Sequence, residues 1–532
     1  MKKRFFGYIR NLLIPAFVFG SITGILTAIA VTLYKVGVKY AIELSEQGYA
    51  YLRGHWYLVF PLAAVLFSFS CLLAYLYRKI PNLKGGGIPT SIGILRGIIT
   101  FKWLRNLIGV FFLSLSNFLI GVPLGNEGPS VQMGTAIGRG TVFSFAKKDK
   151  AWDRYSMTGG ACAGFSVATG APISGIMFAI EEAHQRLSPM IIIVSATAVM
   201  FSTITSELLA PLFGVSTTLF PAFRPITLTL SHIWLPIVIG LIVGLFAVGF
   251  LYYYRAINWL FNHKLQKIPH QYKIFITFAL TVLLGTISFS FISTGHDLIL
   301  ELFEGNIAIY MLFLLLLVRS TLTLFANTNK LTGGMFVPFL ALGAILSATV
   351  GKTIEVIFGL DPTYFSVILV LGITACIASM MKTPITAIVF AVEALGCHDN
   401  ILYVIIVSAV SFVICEMFGA KSVNDAVMED RVEELNEKKT AKVIDAYLIV
   451  EKGAFAIGKQ IRDIFWPANL FVLSLKHDEN RPAEVDEHGG KAIRAGDTLH
   501  VRYSTFDEAL TKEELAAIVG NYAYSETIVD EA

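Results

Sequence analysis

Long apolar runs separated by short polar ones dominate the first 428 residues. An almost uncharged stretch from Leu12 to Tyr34 is followed by apolar runs near 57–77, 105–124, 189–213, 232–254, 272–293, 307–325, 364–380 and 401–418. About 20 such residues in a helix cross the hydrocarbon core of a bilayer, so the pattern predicts a polytopic helical membrane body. Other apolar segments, near 128–146, 157–183, 335–350 and 384–396, are short or broken by glycine and proline. Irregular backbone at membrane depth survives only where protein or a polar cavity satisfies it, which makes these segments the places to look for chemistry. After residue 428 the pattern changes. Glu429 to Lys442 is charged and predicts a helical linker. From 443 to 505, β-type runs (Tyr447-Leu-Ile-Val450, Leu470-Phe-Val-Leu-Ser-Leu475, Thr498-Leu-His-Val-Arg-Tyr503) alternate with Gly/Asp turns. The predicted organisation is a transmembrane domain over 1–428, a linker over 429–442 and a small cytoplasmic α/β domain over 443–532.

The body repeats itself. Gly125-Asn-Glu-Gly-Pro-Ser-Val-Gln-Met-Gly134 and Gly334-Met-Phe-Val-Pro-Phe-Leu-Ala-Leu-Gly343 share G-x-x-x-P-x-x-x-x-G at an offset of 209. Pro172 to Glu181 and Pro384 to Glu393 share P-I-[ST]-[GA]-I-x-F-A-[IV]-E at an offset of 212. Two matches in one order at nearly one offset mark a duplicated unit, with halves at about 13–212 and 230–428. Paired Gly/Pro-interrupted segments in matching places point to the binding site of a transporter; the pattern alone leaves parallel and inverted repeats both open.

Composition sharpens the division. The chain is 55% hydrophobic and 15% charged, too apolar for a water-soluble surface. Residues 429–532 carry 13 basic and 21 acidic side chains, a net −8, whereas the first 428 carry 29 and 17, a net +12. The positive excess belongs to cytoplasmic loops and gives no reason to invoke nucleic acid. Lys2, Lys3, Arg4 and Arg10 precede an apolar run too long for a signal peptide and without a small-residue cleavage site. They predict a first membrane helix with its amino end in the cytoplasm. The five cysteines are odd in number, never spaced C-x-x-C and set in apolar sequence, which reads as small hydrophobes without a disulfide framework.

Three motifs place glycine just ahead of proline: Gly85-Gly86-Gly87-Ile88-Pro89, Gly125-Asn126-Glu127-Gly128-Pro129 and Gly333-Gly334-Met335-Phe336-Val337-Pro338. Proline suits the first helical turn and glycine lets the backbone before it turn tightly, so each reads as a loop opening a helix inside the membrane. One motif alone is better explained by close helix packing and proline kinks. Three together, two of them repeat-related, favour helix amino ends converging on an anion without lysine or arginine. Glu127 stands where that anion would lie and is a natural competitor and proton carrier. Glu181 and Glu182 end an apolar stretch; adjacent carboxylates on a helix point about 100° apart, so one can face the interior and the other solvent or a basic partner. His184 and Arg186 read as interfacial. Arg319 reads as a cation paired with a carboxylate or carbonyls, Glu393 as structural, and Lys147, Lys148, Lys150 and Arg154 as a solvated loop.

On these motifs, residues from about 13 to 428 resemble the CLC family of chloride channels and proton/chloride exchangers, whose marks are G-S-G-I-P, G-[KR]-E-G-P, G-G-x-F-x-P and a later tyrosine. The resemblance implies an all-α fold of broken and tilted helices in an inverted repeat, and a homodimer with one pathway per subunit. It also implies Glu127 as gating glutamate and Glu182 as the inner proton-transfer glutamate that exchangers have and channels lack. Three positions depart from the pattern: Gly86 replaces the coordinating serine, Asn126 the basic residue, and Asn424 the tyrosine. An anion site of Gly86, Gly87, Ile88, Met335, Phe336 and Asn424 would then rely on backbone amides and one side-chain amide. The implied function is exchange of chloride for protons across the cytoplasmic membrane, with both termini cytoplasmic; a fluoride/proton antiporter and a passive anion channel are the alternatives.

The tail, through Pro467 and Ala492-Ile-Arg-Ala-Gly-Asp-Thr-Leu499, resembles the TrkA-C regulatory domain of potassium-transporter gating subunits, which implies a regulatory ligand; a solubilising or dimer-stabilising cap is the other reading. G-x-G-x-x-G, P-loop and H-E-x-x-H motifs are absent from the sequence, as are filter loops of the T-V-G-Y-G kind. Nucleotide-binding Rossmann, metallohydrolase and potassium-pathway readings therefore have no support, and the sequence calls for no cofactor or metal. The expected partners are a small anion, protons, membrane lipid and a second copy of the chain.

Overall fold

The computed structural model describes residues 12–145, 150–221, 223, 225–304, 307–437, 439–477, 489–520 and 525–531. The amino-terminal basic cluster and Lys147 and Lys148 lie outside them. The first half of the body holds α1 (Ile14–Gly54), α2 (Val59–Lys79), α3 (Gly87–Leu95), α4 (Trp103–Ile120), α5 (Glu127–Phe145), α6 (Asp153–Thr169), α7 (Pro172–Phe178) and α8 (Pro189–Phe213). The second holds α9 (Trp234–Trp259), α10 (His270–Ile287), α11 (His296–Phe303), α12 (Ile309–Thr328), α13 (Phe336–Phe358), α14 (Phe365–Cys376), α15 (Pro384–Glu393) and α16 (Ile401–Met417). Each helix of one half has a counterpart of similar place in the other, so the duplication seen in two motifs extends through eight helices.

Among the described residues nine helical segments are long and apolar enough to cross a membrane. Eight coincide with predicted runs. The ninth, α13, is a correction: 335–350 was expected to be short or broken, yet it forms one helix of 23 residues. The segment near 128–146 is continuous as well, as the 19-residue α5. In both, the proline stands in the first turn, where it starts a helix rather than breaking one. Helix α1 runs 41 residues, about 60 Å, far past the predicted apolar stretch, because no proline interrupts the amphipathic sequence that follows Tyr34.

The second repeat motif has a physical reason. The Glu393 carboxylate accepts hydrogen bonds from the Ile173 and Ser174 amides and the Ser174 hydroxyl, each at 2.8 Å. The Glu181 carboxylate accepts from the Ile385 amide at 2.9 Å and from the Thr386 amide and hydroxyl at 2.6 Å. Each half thus caps the proline-led helix of the other, satisfying amides that such a helix leaves unpaired. Of the adjacent pair Glu181 and Glu182, it is Glu181 that backbone amides of the other half hold. Glu181→Ala and Glu393→Ala are expected to destabilise the protein by similar amounts, about 1–2 kcal/mol each. Thermal unfolding in detergent reads this, and a large drop for one variant with none for the other would contradict the reciprocity.

Arg319 donates to the carbonyls of Ser290, Ile292 and Ser293 at 2.7–2.9 Å. Four cysteines are buried; Cys71 is the exception, exposed on the surface of α2. The first part of the predicted linker, 429–436, belongs to a helix, α17 (Val423–Asn436), that passes through residue 428 without a break. Its Arg431 is buried and donates to the Pro81 carbonyl at 2.9 Å and to the Lys84 carbonyl. The tail follows as β1 (Lys442–Ile449), β2 (Leu470–Lys476), β3 (Thr498–Thr505), α18 (Glu508–Val519) and β4 (Ser525–Glu531). Its strands form an antiparallel sheet in the order β2-β3-β1-β4. Alternate residues Ile444, Ala446, Leu448, Leu499 and Val501 face a core shared with Leu515 and Ile518 of α18.

The tail seats on the body through Phe465, whose ring lies 4.4 Å from that of Tyr155 and 4.5 Å from that of His184. The Tyr155 hydroxyl donates to the Asp463 carbonyl at 2.6 Å, and Arg186 stands 4.5 Å above the Phe465 ring. His184 and Arg186, read as interfacial, are partly covered by the tail, and Arg154 reaches the Trp466 carbonyl instead of lying in a solvated loop.

Candidate functional site

The three glycine loops meet. Gly125 and Gly334 exchange both backbone hydrogen bonds at 2.7 Å, forming an isolated antiparallel bridge between the halves. The Gly85 amide donates to the Lys330 carbonyl at 2.7 Å, which ties the first loop to the third. Approach is close enough that side chains are excluded. A Cβ on Gly86 would stand 1.6 Å from the Gly333 carbonyl oxygen, and one on Gly87, at φ +37°, would stand 1.9 Å from the Gly128 backbone. A Cβ on Gly128 would meet the Gly334 Cα at 2.6 Å. Glycine is required at this junction by contact, and at Gly87 by conformation also. The amino ends of α3, α5 and α13 converge here, so the predicted residues Gly86, Gly87, Ile88, Met335 and Phe336 are brought together, all but fully buried.

Glu127 opens α5 at this junction and is completely buried. Neither of its carboxylate oxygens completes a hydrogen bond among the described residues. Burying an ionised carboxylate without partners is expensive, and no hydrogen bond among the described residues holds this one. On one side a cavity of about 480 Å³, lined in part by Asn126, Val337, Lys35 and His296, opens next to it. Glu43 and Glu46 line the same cavity. Phe19, near the start of α1, packs on Trp152, and Trp152 on Phe455 of the tail, at 5.8 and 5.7 Å. Glu43 is 24 residues further along α1, about 36 Å, so this cavity faces away from the tail.

The second carboxylate lies on the tail side. Glu182 sits in a π-helical turn, Ala179–Ala183, that continues α7 and sends Glu181 and Glu182 in different directions. Glu182 is 4% exposed, and its Oε1 accepts a hydrogen bond from Asn424 Nδ2 at 2.5 Å. Asn424, predicted as an anion ligand, thus commits one amide hydrogen to Glu182. Arg96, directly after α3, donates to the carbonyls of Glu182 and Ala183 and to Asp425 Oδ1, each at 3.0 Å. Helix α3 has nine residues, a length of about 13 Å. Its amino end abuts the junction where Glu127 stands, and its carboxyl end holds the backbone of Glu182.

Sequence reasoning passed over Arg96 and Asp425. The available signal was an arginine at the carboxyl end of a short apolar helix, where a cation meets unpaired carbonyls. Asp425 follows Asn424 directly and is itself fixed by the Ser422 cap of α17. Metal-binding groups of three or more His, Cys, Asp or Glu are absent among the described residues.

The profile of a family described as voltage gated chloride channel matches residues 64–416, which contain all three loops, Glu127 and Glu182 and stop short of Asn424. The H(+)/Cl(-) exchange transporter ClcA of Klebsiella pneumoniae subsp. pneumoniae is 26% identical over 433 residues, covering 80% of this chain and 91% of that protein. ClcA of Salmonella arizonae is 25% identical over 437 residues, covering 79% and 90%. Among solved structures, a slow cyanobacterial Cl-/H+ antiporter superposes with a TM-score of 0.70 at 24% identity over 80% of this chain and 98% of that one. A CLC-type fluoride/proton antiporter gives 0.62 at 22% identity over 76% and 96%.

Proposed function

Since the chain belongs to the voltage gated chloride channel family and has the CLC fold, we propose that it exchanges chloride for protons across a membrane. The observation that carries this reading is the pair of buried carboxylates at the two ends of α3, Glu127 at the glycine junction and Glu182 on the tail side. A passive pathway needs only the first. Chloride, held by the amino ends of α3, α5 and α13 through the amides of Gly87, Ile88, Met335 and Phe336, alternates with the Glu127 carboxylate. Protonation releases Glu127 from the site, and Glu182 supplies the proton from the tail side. Asn424 gives one amide hydrogen to Glu182 and has a second for the anion, so the two ions are coupled through one side chain. The ClcA relatives, named as H(+)/Cl(-) exchange transporters, support the choice of chloride.

Fluoride is the second reading, favoured by Gly86 and Asn424, which leave the site without side-chain hydroxyls. The proposal includes a homodimer with one pathway per subunit, and a cytoplasmic tail that acts as a regulatory domain, supported by the seating of Phe465 beside His184. Both termini are then cytoplasmic. The test is flux in proteoliposomes of the full chain. A chloride gradient is expected to drive protons against a pH gradient. Chloride flux without proton movement would leave a channel, and proton pumping by fluoride but not chloride would replace the ion.

A further inference from the structure

On the tail side lies a cavity of about 770 Å³, lined in part by Lys84, Lys330, Arg431 and Glu434, and the two lysines stand just ahead of the first and third glycine loops. Lys84 immediately precedes Gly85, and the Lys330 carbonyl accepts the Gly85 hydrogen bond, so both lysines stand where the two loops leave the membrane junction. A single carboxylate joins them: Glu434 Oε1 is 2.7 Å from Lys84 Nζ, and its Oε2 pairs with Lys330 Nζ. Arg431, one turn earlier on α17, holds the Lys84 and Pro81 carbonyls and the Thr90 hydroxyl of α3. It thereby fixes the loop that presents Lys84. Four other carboxylates line the cavity: Asp430 accepts from the Tyr254 hydroxyl at 2.5 Å and Asn258 at 2.8 Å, Glu429 pairs with Lys421, and Glu433 and Glu437 lie further along its wall. The two ammonium groups are thus aimed at one point, and what occupies that point is an anion belonging to the chain.

We propose that Lys84 and Lys330 form an anion-recruiting site at the tail-side mouth of the pathway, and that Glu434 is a tethered carboxylate occupying it in competition with a small inorganic anion such as chloride. The inference rests on the anion-transport reading for its purpose but not for its geometry. The lysine pair is partly open to the cavity, with side-chain exposures of 20% and 32% and 33% for Glu434, so a dissolved anion can reach it. Burial alone would push the Glu434 carboxyl up, but Lys330 and Lys84 outweigh it and bring it down to about 2. The competitor is therefore charged at every pH of a transport assay, and what displaces it is anion concentration rather than protonation. The arrangement differs from the glycine junction, where amides alone would hold the ion: here full charges gather anions and a tethered carboxylate competes with them, which prevents their being held too tightly.

Calorimetric titration of the full-length protein in detergent with sodium chloride, at constant ionic strength set by gluconate, tests the site without requiring flux. Glu434→Gln is expected to tighten chloride binding about three- to tenfold by removing the competitor. The double variant Lys84→Met with Lys330→Met is expected to weaken it by a similar factor, and adding Glu434→Gln to that double variant is expected to change nothing further. In liposomes the half-saturating chloride concentration follows the same order, with the proton-to-chloride ratio unchanged. Unaltered binding in Glu434→Gln, or a gain that persists without the lysines, would overturn the proposal. If Glu434→Gln does not purify as a monodisperse protein, the lysine pair decides alone: unaltered binding in Lys84→Met with Lys330→Met overturns it. A wild type that moves no anion refutes the transport reading, while the calorimetric order still decides this one.

Discussion

Glu182→Gln is expected to abolish chloride-driven proton movement, lowering it about 100-fold or more, while anion flux continues. The substitution keeps the shape and an acceptor oxygen, so the Asn424 Nδ2 bond to position 182 at 2.5 Å has a partner still. Arg96 fixes the backbone of that turn through two carbonyls, which the substitution does not touch. What is lost is the ability to take up and release a proton. Simultaneous pH and chloride recording from proteoliposomes separates the two fluxes. Persistent proton uptake in this variant would mean that protons reach Glu127 by another route, and that the carboxylate at the far end of α3 is merely a buried acid.

The second large effect is expected at Gly86. By family pattern a serine belongs there, and restoring it looks like a gain of an anion ligand. Gly86→Ser is instead expected to reduce transport about 100-fold or to prevent folding. The Cβ would sit 1.6 Å from the Gly333 carbonyl oxygen, and the clashing atom is backbone, so no rotamer relieves it. Forced overpacking costs about 1–3 kcal/mol even in an adaptable core, and this junction, bridged between Gly125 and Gly334, joins the two halves. Expression, thermal unfolding and chloride flux of the variant decide the matter. A well-folded Gly86→Ser protein with tighter chloride binding would show that the loops stand apart in the working state.

Much of this was legible in the sequence, because both the repeat and the loops are written in residues with few conformational alternatives. Gly85–Pro89, Gly125–Pro129 and Gly333–Pro338 announce helix starts through backbone chemistry, and they do open α3, α5 and α13. The same chemistry misled where proline was read as a break in 128–146 and 335–350, since its effect depends on whether it lies in the first turn or later. Contacts across long separations were not legible. Asn424 meets Glu182 across 242 positions, and nothing local to either residue says so. Gly86 looked like a lost ligand because the sequence does not reveal that the Gly333 carbonyl fills the space. The segment from Glu429 read as a charged linker because composition reports solubility, whereas Arg431 within it is buried by what its guanidinium binds.

The exchanged caps also govern how the chain is made. When α7 leaves the ribosome its Ile173 and Ser174 amides lack their native acceptor, because Glu393 lies 220 and 219 positions ahead. At translation rates of about 5–20 residues per second, the first half waits roughly 10–40 s for the group that completes it. The halves are therefore co-dependent products of one synthesis: insertion of the first is provisional until the last helices of the second arrive.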